Sequence, residues 1–477
     1  MTFTTLPVQV TGASYQSRSR PLSSQCTVNW YQQASNQAKD PFVLMPFPGL
    51  LFNAGDPGAD RGFHRVGETL YQVKGESLYF VGTNGRTGFQ GAILGTDRCI
   101  MANDGENLFI VSSTGVYHFS TITGVISLVT DSNIVGAKSV DFINNQFLYT
   151  STDFTTVSNV GDGTTANGLN KIGEETNPDS LVRDYVFDEL IYRFGTRTTA
   201  TWYNSGVGNP PIEKLQGRTF EIGLAAIHSP ANTDNALYWL ADDRRIYRTT
   251  AGAKEVISTM PISNAIDGYA KQTITNIADA IGSTFTIGSD SFYVLTFPFN
   301  DKTFLYNESL GELGWSELSS GPSGGRYQGN SFLSAYGKTY VADVTNGNIY
   351  TLDFDTYTNN GDSIRRERVT GSVNGGLVGA PGARLQMSKA KFIMETGVGL
   401  IDGQGDNPRI MIEYSDDGGR SFQHGAWPRV GRLGEFTLQV EFFNLGTFYD
   451  RIFRISTSDN VNYSIFSGTI DLRLAGN

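Results

Sequence analysis

The side chains that most often carry chemistry are few here and poorly spaced for it. The four histidines, His64, His118, His228 and His424, contain no HxH or HxxxH pair, so no strand or helix offers the two nitrogens a zinc site takes from one element. Cys26 and Cys99 lie far apart without a CxxC spacing, which argues against a disulfide scaffold or a zinc site. No GxSxG, no P-loop and no GxGxxG opening a helix is present. The run GSVNGGLVGAPG (371–382) is like a phosphate loop in composition only. No strand leads into it and no capped helix leaves it, so it reads as a flexible linker.

Two other stretches have a defined chemical alternative. SDDGGRSF (415–422) fits the Asp-box pattern, with Ser415, Asp417, Gly419, Ser421 and Phe422 in place. That pattern marks hairpin turns in sialidases, which are propellers, so a carbohydrate-active or carbohydrate-binding propeller, sialidase-like or a tail depolymerase, is the alternative function. Such an enzyme needs clustered arginines for the sugar carboxylate, a Tyr nucleophile paired with Glu, and an acid. No spacing singles out that set, and the box reads as a structural turn. SIRRERVTG holds the densest basic cluster, Arg365, Arg366 and Arg368 around Glu367. A DNA-touching patch is one reading; a solvated edge strand or an intersubunit salt-bridge site is the better one. The sequence therefore assigns no catalytic, cofactor-binding or metal residue and no cofactor, leaves the interface residues unknown, and predicts a protein that is not an enzyme.

The elements behind these residues follow from composition. Among 477 residues there are 55 Gly, 30 Phe and 22 Tyr, and only 17% are charged. Glycine-rich turns between aromatic and β-branched runs predict an all-β protein. The net charge of −11 disfavours a protein that grips nucleic acid, because phosphate contacts need clustered cations. MTFTTLPVQV lacks a basic segment followed by an apolar run, so no secretory leader is expected. FVLMPFPGLLF is too short to span a bilayer and contains two prolines, so a soluble protein with no membrane anchor is expected.

Strand pairs recur. GETLYQVKGESLYFVGTNG begins at Gly67, and related pairs begin at Gly105, Asn144, Phe187, Asp234, Ser289 and Tyr336. Equivalent first-strand positions are Leu70, Leu108, Phe147, Ile191, Leu237, Phe292 and Thr339. A period of about 40–45 residues is that of β-propeller blades, sheets that bury their faces only against one another. The prediction is a propeller of six or seven blades over 63–375, with a helical insertion near 262–284 that Gly268 breaks in two. Residues 1–62 read as an extended arm contributing to ring closure or to a platform. Residues 376–477 read as a β-sandwich-like platform domain: Ile410, Ile412 and Tyr414 alternate, as do Phe436, Leu438, Val440 and Phe442.

These stretches together resemble a known family. FPGL after an extended arm, then YQVKGESLYFVG, is similar to the start of the packaged-DNA stabilisation proteins of short-tailed bacteriophages. FYVLTFPFNDKTFLYNESLGELGWSELSSG matches their strand–Pro–strand–Tyr-Asn–Trp pattern through Pro298, Tyr306, Asn307 and Trp315. The C-terminal islands YSDDGGRSF, PRVGRLGEF, NLGTFYDRIFRIST and GTIDLRL resemble that family's closing strands, while the first 35 residues diverge. The resemblance implies a structural virion protein, the tail hub or nozzle. It implies a homo-hexamer below the portal and the head-to-tail adaptor ring that extends the DNA channel, stabilises packaged DNA and serves ejection. It also implies docking of a tail needle or plug, or of fibres or spikes, assembly in the host cytoplasm, and no catalytic residues. An acidic wall would let DNA slide past without specific binding.

Overall fold

Seven four-stranded antiparallel units stand around a common axis in the computed structural model, which describes residues 3–20, 22–34, 41–83, 85–173, 179–250, 253–271, 277–321 and 323–475. Their inner strands, from blade 1 to blade 7, are Asp60–Val66, Ile100–Asn103, Ser139–Ile143, Leu181–Phe187, Ala231–Asn232, Ile281–Ile287 and Gly329–Ala335. The last of these touches the first, which closes the ring. The protein is an all-β propeller.

The turns explain how each meander folds. Asn144 and Asn145 (φ 46° and 62°), Asp188 and Glu189 (51° and 59°), and Tyr336 and Gly337 (51° and 70°) join the inner strand to the second one in blades 3, 4 and 7. Two successive positive φ values are what a type I′ hairpin requires, and its twist matches that of the strands.

The repeat positions all fall on the same strand of the blade. Leu70, Leu108, Phe147, Ile191, Leu237, Phe292 and Thr339 lie on the second strand of their blades, so the recurring pair is the second and third strands. Both faces of a second strand press on neighbouring blades and both edges are paired, so it reads as an almost unbroken apolar run. Asn107–Ser112, for example, is buried from Leu108 onward. Inner strands carry polar residues toward the axis and repeat less visibly.

Blade 7 takes its fourth, outer strand from the N-terminal arm. Gly49–Ala54 pairs with Ile349–Asp353, and Leu50, opposite Leu352, is fully buried. Gly49 is demanded by packing: a Cβ there would stand 2.4 Å from the carbonyl oxygen of Thr356.

The rest of the arm folds with the C-terminal strands. One sheet runs Trp30–Ala34, Phe42–Pro46, Ile465–Leu474, Leu385–Met394, Val440–Phe443, with Thr4–Val8 also on Ile465–Leu474. A second runs Cys26–Val28, Arg366–Val369, Asp450–Thr457, Met411–Ser415, Gln423–Ala426. Trp30, Leu44, Phe392, Phe442, Phe453 and Ile455 form the core between them. Cys26–Val28 also pairs with Trp315–Ser320, the outer strand of blade 6, so one continuous sheet crosses from the wheel into this second body.

Three expectations are corrected. The helix is Met260–Ala270, opened by Pro261, with Ile262, Ile266 and Ala270 buried between blades 5 and 6. Gly268 lies inside it with open space at its Cβ position, so it interrupts no packing, and Ile281 begins a strand; residues 272–276 of the predicted insertion lie outside the described residues. Phe436 and Leu438 precede their strand, which starts at Val440, and Phe436 is 70% exposed. The Gly-rich run 371–382 is no free linker. Val373–Asn374 pairs with Asp450 and Arg451, and Gly375 is buried where a Cβ would meet the Ala380 oxygen at 2.1 Å.

Candidate functional site

The axis of the wheel is where inner-strand side chains from different blades meet. Seven sheets packed about 10 Å apart around an axis leave a bore of roughly 20 Å between backbones, before any side chain is counted. Polar and charged groups enter that space. Asp60 of blade 1 accepts from Gln72 (3.0 Å), from Asn330 (3.0 Å) and Ser331 (2.5 Å) of blade 7, and pairs with Arg98 ahead of blade 2 at 3.5 Å. Arg98 also donates to Ser331 Oγ at 2.9 Å. Arg183 of blade 4 donates to the Ile227 carbonyl at 2.9 Å, and Tyr185 donates to Asn232 Oδ1 at 2.7 Å. Asp141 accepts the Val186 amide at 2.9 Å, and burial pushes its carboxyl up to about 6. This lattice ties neighbouring blades together around the axis.

The joint between the wheel and the second body is built around the basic run, which the sequence misplaced. Arg366 and Arg368 are both fully buried, and their strand is paired on both edges; only Arg365 is exposed, beside Glu367 at 2.6 Å. Strand alternation sends Arg366 and Arg368 to the interior, where no solvent or DNA can meet them. Among the described residues Arg368 has no carboxylate partner. It donates to the carbonyls of Val10 (2.6 Å) and Ala13 (2.9 Å), to Thr27 Oγ1 (2.8 Å) and to Gln25 Oε1 (2.9 Å). Burial lowers both guanidinium groups to about 10. Asn29, at φ 54°, completes the joint: its side chain donates to the carbonyls of Ser319 (2.9 Å) and Arg365 (2.7 Å) and accepts the Ser319 amide.

The Asp-Gly turn spends its polar groups on itself. Asp417 accepts from the Arg420 amide (2.8 Å), the Ser421 amide (2.9 Å), Ser421 Oγ (2.5 Å) and Ser415 Oγ (2.7 Å), which hold its carboxyl well below the usual range. Asp416 makes a two-pronged pair with Arg451, 2.7 Å on each side. The Arg451 guanidinium lies between the Tyr414 and Phe448 rings, at 4.1 and 4.2 Å.

The other singled-out residues lie apart. His64 Nε2 meets Asn103 at 2.8 Å and burial lowers it to about 4; His118 stacks on Phe109 and meets Asn107 at 2.9 Å. Cys26 and Cys99 are free thiols, each pushed up to about 12 by burial. Among the described residues no three His, Cys, Asp or Glu side chains are placed to hold a metal, and no helix is long and apolar enough to cross a membrane. A cavity of about 680 Å³ lies in the second body, lined by Arg365, Arg409, Asp406, Asp459 and Trp427. Trp427 at this cavity is exposed, as are Ile401, Leu433 and Phe436 elsewhere on the loops of the same body.

Residues 4–357, from the first arm strand to the end of the ring, match the family described as Bacteriophage P22 Gp10, beta-propeller. The chain belongs to this family. It is a phage structural protein of the packaged-DNA stabilisation, tail-hub kind, whose members assemble with other virion proteins in the tail. Pro298, Tyr306, Asn307 and Trp315, which carry the resemblance, sit together at blade 6. Tyr306 pairs with Trp315, their rings 4.7 Å apart, and Asn307 caps the following turn while donating to the Gln32 carbonyl of the arm at 3.1 Å. The family's pattern thus marks the joint. No curated protein sequence matches the chain. Solved propellers resemble it distantly. The extracellular domain of the putative one component system BT4673 from B. thetaiotaomicron shares 9% identity at a TM-score of 0.44, over 82% of this chain and 48% of that one. A streptogramin B lyase shares 12% at 0.41, over 63% and 96%. The computationally designed Ika8 protein shares 10% at 0.38, over 68% and 96%. None of these likenesses is close enough to bear on function.

Proposed function

We propose that six copies of this chain form the nozzle ring below the portal and adaptor, and that the DNA channel runs between the copies. The observation that supports this reading is the narrow centre of the wheel: Asp60, Arg98, Arg183 and Tyr185 bridge neighbouring inner strands there, within a space of only roughly 20 Å between backbones, so a duplex has no room to pass through one subunit. The ring is then the tube and each propeller a block in its wall. The net charge of −11 supports a wall along which DNA slides without adhering. The sheet continuous from blade 6 into the second body supports a subunit that transmits load as one piece. In this reading the ring retains packaged DNA, docks the needle or spikes, releases the DNA at ejection, and assembles in the host cytoplasm without enzymatic activity. No observation favours the carbohydrate-active alternative, since the Asp-Gly turn is engaged in its own hydrogen bonds.

Mass measurement of the purified protein and imaging of the assembled particle test the proposal together. A six-fold ring under the adaptor, and particles lacking this protein that fill and then leak DNA, are expected. A monomer absent from the particle would overturn it.

A further inference from the structure

The seven inner strands all start at one mouth of the wheel, so the residues at their N-terminal ends converge on one rim. A cavity of about 490 Å³ opens there, walled among others by Asp97, Arg98, Lys138, Ile227 and His228. Arg98 precedes the inner strand of blade 2, Lys138 that of blade 3 and His228 that of blade 5. Arg183, within the inner strand of blade 4, is close enough that its charge acts on both Arg98 and His228.

The carboxylates at this mouth are already engaged. Asp97 accepts the Ser113 amide at 2.9 Å and faces Arg61 at 3.5 Å; Asp60 is held by Gln72, Asn330 and Ser331 and meets Arg98 only at 3.5 Å. Asp141 acts on Arg183 and accepts the Val186 amide, and it is not among the residues that line the cavity. Among the described residues Lys138 makes no ion pair and the His228 ring makes no hydrogen bond, while Arg183 Nε is buried without a partner. The cavity thus has more cationic donors than anions in an otherwise acidic protein.

We propose that this rim is a phosphate-binding site, formed by Lys138 and Arg98 with His228 as a third donor and taking inorganic phosphate or the phosphate of a 5′-mononucleotide. Two fixed cations and one imidazole that can gain a proton match a dianion better than a carboxylate, which one cation satisfies. In the free protein, burial and the charges of Arg98 and Arg183 keep His228 neutral, its pKa well below the usual value. A bound dianion reverses the sign of the local field, so His228 takes up a proton from solvent and donates it to the ligand as a hydrogen bond. The site does not depend on the ring or on its place in the tail.

The test is calorimetric titration of the full chain with inorganic phosphate and, separately, a 5′-mononucleotide at neutral pH, in two buffers of different ionisation enthalpy. His228 is followed by NMR, its signal assigned by its loss in His228→Gln. Binding with net proton uptake and an upward shift of the His228 titration is expected. In Lys138→Ala, at an exposed position whose loss leaves the fold intact, affinity should fall about tenfold, the share of one charge-assisted contact. His228→Gln should abolish the proton uptake while the melting temperature stays put. Binding of inorganic phosphate alone identifies a site for the free ion; tighter binding of the mononucleotide identifies an organic phosphate. No heat and no His228 shift with either probe overturns the proposal, as does equal affinity in Lys138→Ala.

Discussion

The Nε proton of Arg368 is donated to the carbonyl oxygen of Val10 at 2.6 Å, across most of the length of the chain. The same guanidinium holds Ala13, Thr27 and Gln25. A fully buried cation therefore fastens the N-terminal arm to a central strand of the second body through neutral oxygens. Those oxygens have no other solvent, so the staple is sensitive to any change in shape.

Arg368→Met should loosen the arm. The carbonyls of Val10 and Ala13 lose their donor inside the protein, which costs about 3 kcal/mol. Urea unfolding should show the loss, and limited proteolysis should cut the chain ahead of Cys26 first. Arg368→Lys should recover little of it, because an ammonium cannot reproduce the fork. A variant as stable and as protease-resistant as the parent would show that the staple contributes nothing.

Leu50→Ala tests ring closure. Leu50 is fully buried on the strand that the arm lends to blade 7. Removing it should lower the unfolding free energy by about 2–5 kcal/mol. The loss should reach blades 1 and 7 alike in hydrogen exchange, because the closing strand latches one to the other.

Asp417→Asn gives a pH signature. The folded carboxyl sits far below its unfolded value of about 3.9, held there first by Ser421. A depressed carboxylate adds stability above the unfolded pKa and loses it as pH falls through the folded one. The melting-temperature gap between the parent and Asp417→Asn should be full near neutrality and narrow steadily under acid below the usual carboxylate range. A gap independent of pH would show that the charge of Asp417 is irrelevant.

Asp416→Asn should strand a cation. Arg451 is 2% exposed and keeps at most one of the two prongs, now to a neutral amide oxygen. Thermal unfolding should fall by the equivalent of about 3 kcal/mol, as for a broken buried pair. Replacing both residues by an apolar pair should restore much of the loss.

Duplex DNA should slide past this protein. At low ionic strength, where phosphate attraction is strongest, the isolated chain should not retard a duplex in a gel. Of the three arginines that suggested a DNA patch, Arg366 and Arg368 are buried in the joint, and Arg365 is paired with Glu367. Retardation that weakens with salt would show a basic surface the charge balance conceals.

The repeat was readable because second strands are buried on both faces, so their apolar runs stand out at every turn of the wheel. The inner strands escaped the pattern because, as in Asp60–Val66, they mix polar with apolar residues and resemble loops in sequence. The run 365–368 was misread because local sequence cannot tell a central strand from an edge strand. Arginines on a buried face look identical to arginines in water until the carbonyls of Val10 and Ala13 are brought beside them.

The sequence by itself determined the β class, the blade period, the Asp-Gly turn and the family, since each is written in residues close together along the chain. The tertiary structure alone decided that the arm is divided, with Gly49–Ala54 closing the wheel and the strands before it completing the second body. It alone brought Arg98, Lys138 and His228 to one rim. These pairings join residues far apart along the chain, and only the packing of the whole chain sets where such distant groups meet.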